Sequence, residues 1–198
     1  ESWIARTFRK QLVTYNAGNP DTVLFAFYDL ARCPPTYDII NFLAHADSYR
    51  RRYRLATFHV VFVPGPHAGF RDSSYQTVEE KRWRLKHIVI ASCALHPNCS
   101  GSTLCTTRAE ARYYEKLAGT RIFPLNYTER SPTAAYLWNV TFSLVARGDR
   151  RIQTLCSSSQ PRRSVAEWLA NKVNGKRVVT VTLRESHTQA KRNSDLAA

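Results

Sequence analysis

The sequence contains no methionine, only seven glycines, and 15 acidic residues against 29 Lys and Arg. Glycine is scarce where several nucleotide-handling folds need it. There is no GxGxxG and no Gly-rich loop closing on Lys-Ser/Thr, nor is there a GxSxG or an HExxH. Dinucleotide-binding dehydrogenases, P-loop kinases, α/β-hydrolases and zincins are therefore disfavoured. No apolar run approaches the roughly 18–20 residues that span a bilayer. The five cysteines (Cys33, Cys93, Cys99, Cys105, Cys156) form no CxxC pair of the kind that holds a metal. Cys99 and Cys105 are close enough in sequence to bridge, but an odd, irregular set reads as reduced thiols in a cytoplasmic protein. With no initiator methionine, the chain reads as a piece of a longer one, which leaves an upstream signal or anchor open.

What is present is a basic chain with a real core. Hydrophobic residues make up 43% and aromatics 12%, enough to exclude disorder as the default. The net charge of +14 favours an anionic partner: a nucleotide, a phosphorylated glycan, anionic lipid or nucleic acid. Arg50, Arg51, Arg52 and Arg54 are the densest cluster. They could meet such a partner, an acidic membrane surface included, or simply complement the dipole of a helix end. The basic residues are not interleaved with aromatics in a nucleic-acid recognition pattern, so a nucleic-acid module is the weaker reading. Asn98, Asn126 and Asn139 each open an N-x-S/T triplet, read as coincidence.

Strand and helix signals alternate along the chain. Thr22–Tyr28 and Phe58–Val63 are buried strands by composition. Between them, Thr36 caps a helix carrying Ile39, Ile40, Phe42, Leu43 and Ala46 at helical spacing. A helix is expected from Tyr75 to about Ala94 with Trp83, Leu85, Ile88, Val89 and Ala91 inward. Short strands are expected at Thr103–Thr106, Arg121–Pro124 and Ile152–Cys156. Helices are expected at Arg108–Leu117, Ala134–Ala146 and Ser164–Val173, and a last strand at Val178–Leu183. This alternation predicts an α/β fold, a mainly parallel Rossmann-like sheet with helices on both faces. The expected division is an amino-terminal domain over 1–160, a linker helix over 161–176 and the truncated start of a second domain over 177–198.

In such folds ligands bind beyond the carboxyl ends of the strands. Asp29 ends the first strand and is either a general base or sugar-hydroxyl acceptor, or an Asx turn into Pro34 and Pro35. After the second strand, Pro64-Gly65-Pro66-His67-Ala68-Gly69-Phe70-Arg71 offers His67, a candidate acid–base group, and Arg71, a fixed fork for phosphate. Its alternative is a rigid surface turn. His59, on a buried strand, is most simply a hydrogen-bonded core residue. Past the last strand come Arg184 and Glu185, then Arg192, Asn193, Ser194 and Asp195 at an apparent helix start. Arg184 suits a bidentate grip on a diphosphate, or a salt bridge to Glu185 or Asp195. Ser194 and Asp195 fit an ordinary helix cap, which can also hold a phosphate.

The Val179–Glu185 strand-Arg element followed by Arg192-Asn193-Ser194-Asp195 resembles a signature of bacterial glycosyltransferase-like proteins of the two-domain GT-B type. The segments FYDLARCPPTYD and HVVFVPGPHAGFR resemble amino-terminal elements of the same family. The specific part covers about twenty residues. The resemblance implies two Rossmann-like domains with the site between them and no essential metal or other cofactor. Arg184, Arg192 and Asn193 would face a nucleotide-sugar donor, with Glu185 beside them. Asp29, His67 and Arg71 would face the cleft and a glycan or lipid-linked glycan acceptor. With the second domain cut off after one strand, the fragment is not expected to turn over alone; the thiols suggest a cytoplasmic setting, and the Arg50–Arg54 cluster would suit contact with an acidic membrane surface. A non-catalytic nucleotide-binding domain would look the same.

Overall fold

The computed structural model describes residues 22–72, 76–135, 155–157 and 159–173. The chain divides into two compact units, Glu1–Ser157 and Ser158–Ala198. In the first, β1 (Val23–Asp29), β2 (Thr57–Val63), β3 (Cys99–Leu104) and β4 (Ile122–Phe123) form one sheet in the order β3-β2-β1-β4, every pair parallel. Helix α1 (Ile39–Arg52) joins β1 to β2. The β2–β3 connection carries α2 (Val78–Arg84), a π-helical stretch (Leu85–Ile90) and the short α3 (Ala91–Cys93), and α4 (Arg108–Ala118) joins β3 to β4. This is a Rossmann-like α/β sheet, and its strand order reverses between β1 and β4. In the second unit, α5 (Ser159–Val173) starts earlier than its composition suggests, with Pro161 inside the first turn, where a missing N–H is tolerated.

The central strands are buried on both faces, which explains their unbroken apolar runs. Leu24, Ala26 and Tyr28 of β1, with Phe58, Val60 and Phe62 of β2, pack under Ile39, Phe42, Leu43 and Ala46 of α1 and under Leu85, Val89 and Cys93. Val23, Phe25, Phe27, Val61 and Val63 face the other way, onto Ala111 and Ala118 of α4 and onto Tyr127. Each fully buried Phe contributes on the order of 2–3 kcal/mol by removal from water.

The structure departs from sequence expectation in several places: Asp38 rather than Thr36 is the N-cap of α1, and the helix expected from Tyr75 starts at Val78. The strand expected at Thr103–Thr106 runs from Cys99 to Leu104, because a register shift beside Phe58 and His59 inserts Ser100, and Gly101 takes φ 148. Trp83 and Ala91 point outward rather than inward, while Leu85, Ile88 and Val89 are buried as expected. Trp83 lies two residues, about 200° of helix, from buried Leu85, and a π-helical stretch separates Leu85 from Ala91, so one 3.6-residue face does not run from 83 to 91. Cys99 and Cys105 stand at opposite ends of β3, about 20 Å apart at 3.3 Å per residue, far beyond the reach of a disulfide. All five thiols are free. The segments Ala134–Ala146, Ile152–Cys156 and Val178–Leu183 lie wholly or mostly outside the described residues; Leu155 and Cys156, which are described, are not in a strand. Among the described residues no helix is long and apolar enough to cross a membrane.

The α1 carboxyl end lies at the amino edge of the sheet, opposite the edge where strands end. Arg50 donates there to Asp47 (2.8 Å) and to the carbonyls of Leu55 and Ala56, and Arg51 lies 3.3 Å from the other Asp47 oxygen. Asn98 donates to Asp47 as well, at 3.0 Å. Half of the arginine cluster therefore ties α1 to the start of β2 and β3; Arg52 and Arg54 are exposed.

His59 is a core residue, 1% exposed, with Nε2 2.9 Å from Thr103 Oγ1. Burial lowers its pKa to about 4, and burial lowers those of His45 and His96 too. A histidine held neutral in the folded state leaves the unfolded state to bind the proton first. Stability is thus full above the unfolded value near 6.5, falls as pH drops toward 4, and falls no further from this group below that. For His59 the span corresponds to about 3 kcal/mol. In denaturant titrations between pH 7 and 4.5, His59→Gln should lose about 2 kcal/mol less than wild type; equal losses would contradict this assignment.

Candidate functional site

Parallel pairing puts the ends of β1, β2, β3 and β4 on one edge, and the loops after them converge there. The centre of that edge is Asp29, which is fully buried. Its Oδ1 accepts from the Ala31 N–H (2.9 Å) and Arg108 Nη1 (3.0 Å). Its Oδ2 accepts from Arg108 Nη2 (2.8 Å) and the Tyr127 hydroxyl (2.7 Å). A carboxylate offers about four acceptor positions, and all are filled. The Asp29 carbonyl also accepts from Arg32 and Cys33 N–H groups. Asp29 therefore makes the Asx turn and anchors the edge; it has no lone pair left to take a substrate proton, and the general-base role expected for it does not fit this geometry.

Arg108 is the hub that sequence reading missed. Besides Asp29, it donates to the carbonyls of Pro64 (2.8 Å) and Glu129. It thereby joins the loops that follow β1, β2 and β4 to the start of α4. Its hydrogen bond to Asp29 raises its pKa further above an already high value. Tyr127 stacks on Phe27 (centroids 4.5 Å apart, planes 15° apart), and burial followed by the Asp29 charge pushes its phenol pKa up. Arg112 pairs with Glu129 at 2.8 Å, and that hydrogen bond holds the Glu129 carboxyl below its usual range. The sequence signal for this cluster was indirect: a buried strand ending in Asp requires a cationic or hydroxyl partner from a neighbouring loop.

The loop after β2 is a miniature hairpin. Gly65 and Gly69 pair, as do His67 and Phe70, and Ala68 and Gly69 turn the chain with φ 50 and 91. Positive φ at both turn positions is the type I′ pattern. Gly65 has to be glycine: a Cβ there would sit 2.5 Å from the Phe70 carbonyl carbon and 2.8 Å from Leu30 O. The hairpin thus presses against the loop after β1. Arg71 reinforces the contact by donating to the Arg32 carbonyl at 3.3 Å. His67 is exposed on this hairpin. The rigid turn and the chemical candidate are the same object.

Helix N-termini at this edge are occupied by the chain's own acids. Thr77 and Glu80 form a capping box on α2. On α4, Thr107 accepts from the Glu110 N–H, and the Glu110 carboxylate accepts from the Thr106 N–H (2.7 Å) and hydroxyl. Asp38 stands at the start of α1, its carboxylate bonded to Thr36 at 2.6 Å. A phosphate drawn to any of these termini would meet a carboxylate. Among the described residues no group of three or more His, Cys, Asp or Glu could hold a metal ion. Of the expected site residues, the structure brings Asp29, His67 and Arg71 to one edge; Arg184, Glu185, Arg192 and Asn193, with Ser194 and Asp195, lie outside the described residues.

No family model matches the chain, no curated protein matches it, and no solved structure matches it.

Removing the Arg108 side chain would leave the Asp29 carboxylate buried and short of two donors. Arg108→Ala should destabilise the fold by about 3 kcal/mol, whereas Tyr127→Phe, which removes one bond to a charged acceptor, should cost about 1.5–2 kcal/mol. Equilibrium urea unfolding measures both; losses below about 0.5 kcal/mol would mean the network is ornamental.

Proposed function

We propose that this chain is the acceptor-side part of a glycosyltransferase that moves a sugar from a nucleotide-sugar donor to a surface-glycan acceptor, free or lipid-linked. The observation that carries the reading is the character of the carboxyl edge. It has the open α/β layout that places ligands beyond strand ends, yet Asp38, Glu80 and Glu110 already stand at its helix N-termini. Such an edge disfavours a diphosphate and suits a neutral, hydroxyl-rich ligand. The diphosphate then falls to the basic segment downstream, where Arg184 follows a strongly apolar run and Arg192 and Asn193 follow it.

In this reading His67 is the group that takes the acceptor hydroxyl proton, since it is exposed on a rigid hairpin while Asp29 is fully engaged. Arg71 steadies the hairpin and the adjoining loop. Arg184 stabilises the charge that builds on the departing diphosphate, with Glu185 orienting it. The resemblance of the downstream segment to GT-B glycosyltransferases is the second support. A basic nucleic-acid module is the competing reading, weakened by the internal pairing of Arg50 and Arg51 with Asp47.

Binding of a panel of UDP-, GDP- and CMP-sugars to the protein tests the proposal. Saturable binding of one donor, weakened at least about tenfold by Arg184→Ala (loss of a charged bidentate contact), is expected. Absence of donor binding with steeply salt-dependent binding to DNA or RNA would overturn it.

A further inference from the structure

Helix α5 has no core beneath it. Residues 159–172 are exposed apart from half-buried Leu169, and Val165 and Trp168 are 56% and 60% exposed. A lone helix of 15 residues is marginal in water, so α5 needs a surface to lie on. Each residue advances a helix by about 100°. Trp168, Val165 and Leu169 therefore fall within one arc of about 100°, the width of stripe that a helix buries against a partner.

Charge is sorted about that stripe. Arg162 flanks it near the amino end, and Lys172 falls within it in the last turn. Glu167, the only acid of α5, lies on the opposite face, about 150° from the stripe's centre. Arg163 is on that far face too, about 40° from Glu167. No acid stands in the first turn, where a helix favours one, and the two arginines that follow are disfavoured by the positive end of the dipole. The position of Arg162 thus does nothing for the helix itself. Among the described residues no ion pair engages Arg162 or Lys172, whereas Asp47 holds Arg50 and Arg51. A second copy of α5 would set these cations against each other. A bilayer with anionic headgroups fits the whole pattern. The Trp168 ring suits headgroup level, Val165 and Leu169 suit the acyl boundary, and the long stems of Arg162 and Lys172 reach back to phosphate.

We propose that α5 is an interfacial helix that lays its Trp168, Val165 and Leu169 stripe on an anionic phospholipid surface, with Arg162 and Lys172 paired to headgroup phosphates. This does not depend on the sugar-transfer reading. At about 1.5 Å per residue the 15 residues reach about 22 Å, short of the roughly 30 Å hydrocarbon core, so the helix lies along the interface and not across it. At physiological salt the screening length is about 8 Å, less than the helix diameter of about 10 Å. Cations of the stripe face therefore count for more than Arg163 on the far face.

Co-sedimentation of the 198-residue chain with phosphatidylcholine vesicles, with and without phosphatidylglycerol and at physiological salt, tests this. The expected result is binding to the anionic vesicles only. Arg162→Gln and Lys172→Gln should each weaken it about fivefold, Arg163→Gln by clearly less, and Trp168→Ser by at least about tenfold. Lipids brominated on their acyl chains should quench tryptophan emission more in the wild type than in Trp168→Phe. These side chains are all exposed, so the substitutions leave the core intact. Failure to bind anionic vesicles would overturn the proposal. So would equal losses for Arg162→Gln and Arg163→Gln, wild-type binding by Trp168→Ser, or RNA that displaces the chain from vesicles through the same residues.

Discussion

Everything on the carboxyl edge hangs on one buried negative charge. Burying a lone carboxylate costs several kcal/mol, and Asp29 ends a strand that is covered on both faces. The fold offsets that cost by surrounding the group with a guanidinium, a phenol and a backbone N–H. Those donors come from the loops after β1 and β4 and from the start of α4, so satisfying one charge fixes three connections at once. Arg108 extends the constraint to a fourth by holding the Pro64 carbonyl. A second buried acid, Asp47, performs the matching task at the opposite edge with Arg50, Arg51 and Asn98. The sheet is thus clamped at both ends by an acid on or beside the elements that its faces bury.

The clamp has a consequence for function. Between β1 and β4, where strand order reverses and open α/β folds usually admit a ligand, this chain puts its own Asp29, Arg108 and Tyr127. Acidic caps stand at the neighbouring helix starts. The accessible chemistry moves outward, to the His67 hairpin, which Gly65 and Arg71 hold against the loop after β1. This division of labour, a crevice occupied by the chain's own Asp29, Arg108 and Tyr127 and an exposed hairpin on the same edge, is why the proposed reading assigns the sugar acceptor here and the diphosphate elsewhere.

The central strands were legible because doubly covered strands need continuous apolar runs, and TVLFAFY and FHVVFV are such runs. The caps at Thr36, Thr77 and Thr107 differ in legibility: the Thr77–Glu80 spacing is a sequence signature, while Asp38, not Thr36, adjoins the first turn of α1. The outward turn of Trp83 follows from ordinary helix spacing, because it lies between buried Lys81 and Leu85 and about 200° round the helix from Leu85. Arg108 and Tyr127 were not legible. They lie 79 and 98 positions from Asp29, and only the completed topology makes them neighbours. Asp29 itself was visible as special, but residue type alone does not separate a base from a keystone; the count of filled acceptor positions does.

A double-mutant cycle across Asp29→Asn and Arg108→Met, read by equilibrium unfolding, tests the keystone directly. The account predicts a coupling of about 2–3 kcal/mol, because each single change strands the other group while the double change leaves neither charged. Additive losses, with coupling below about 0.5 kcal/mol, would show that the edge is held by something other than this pair.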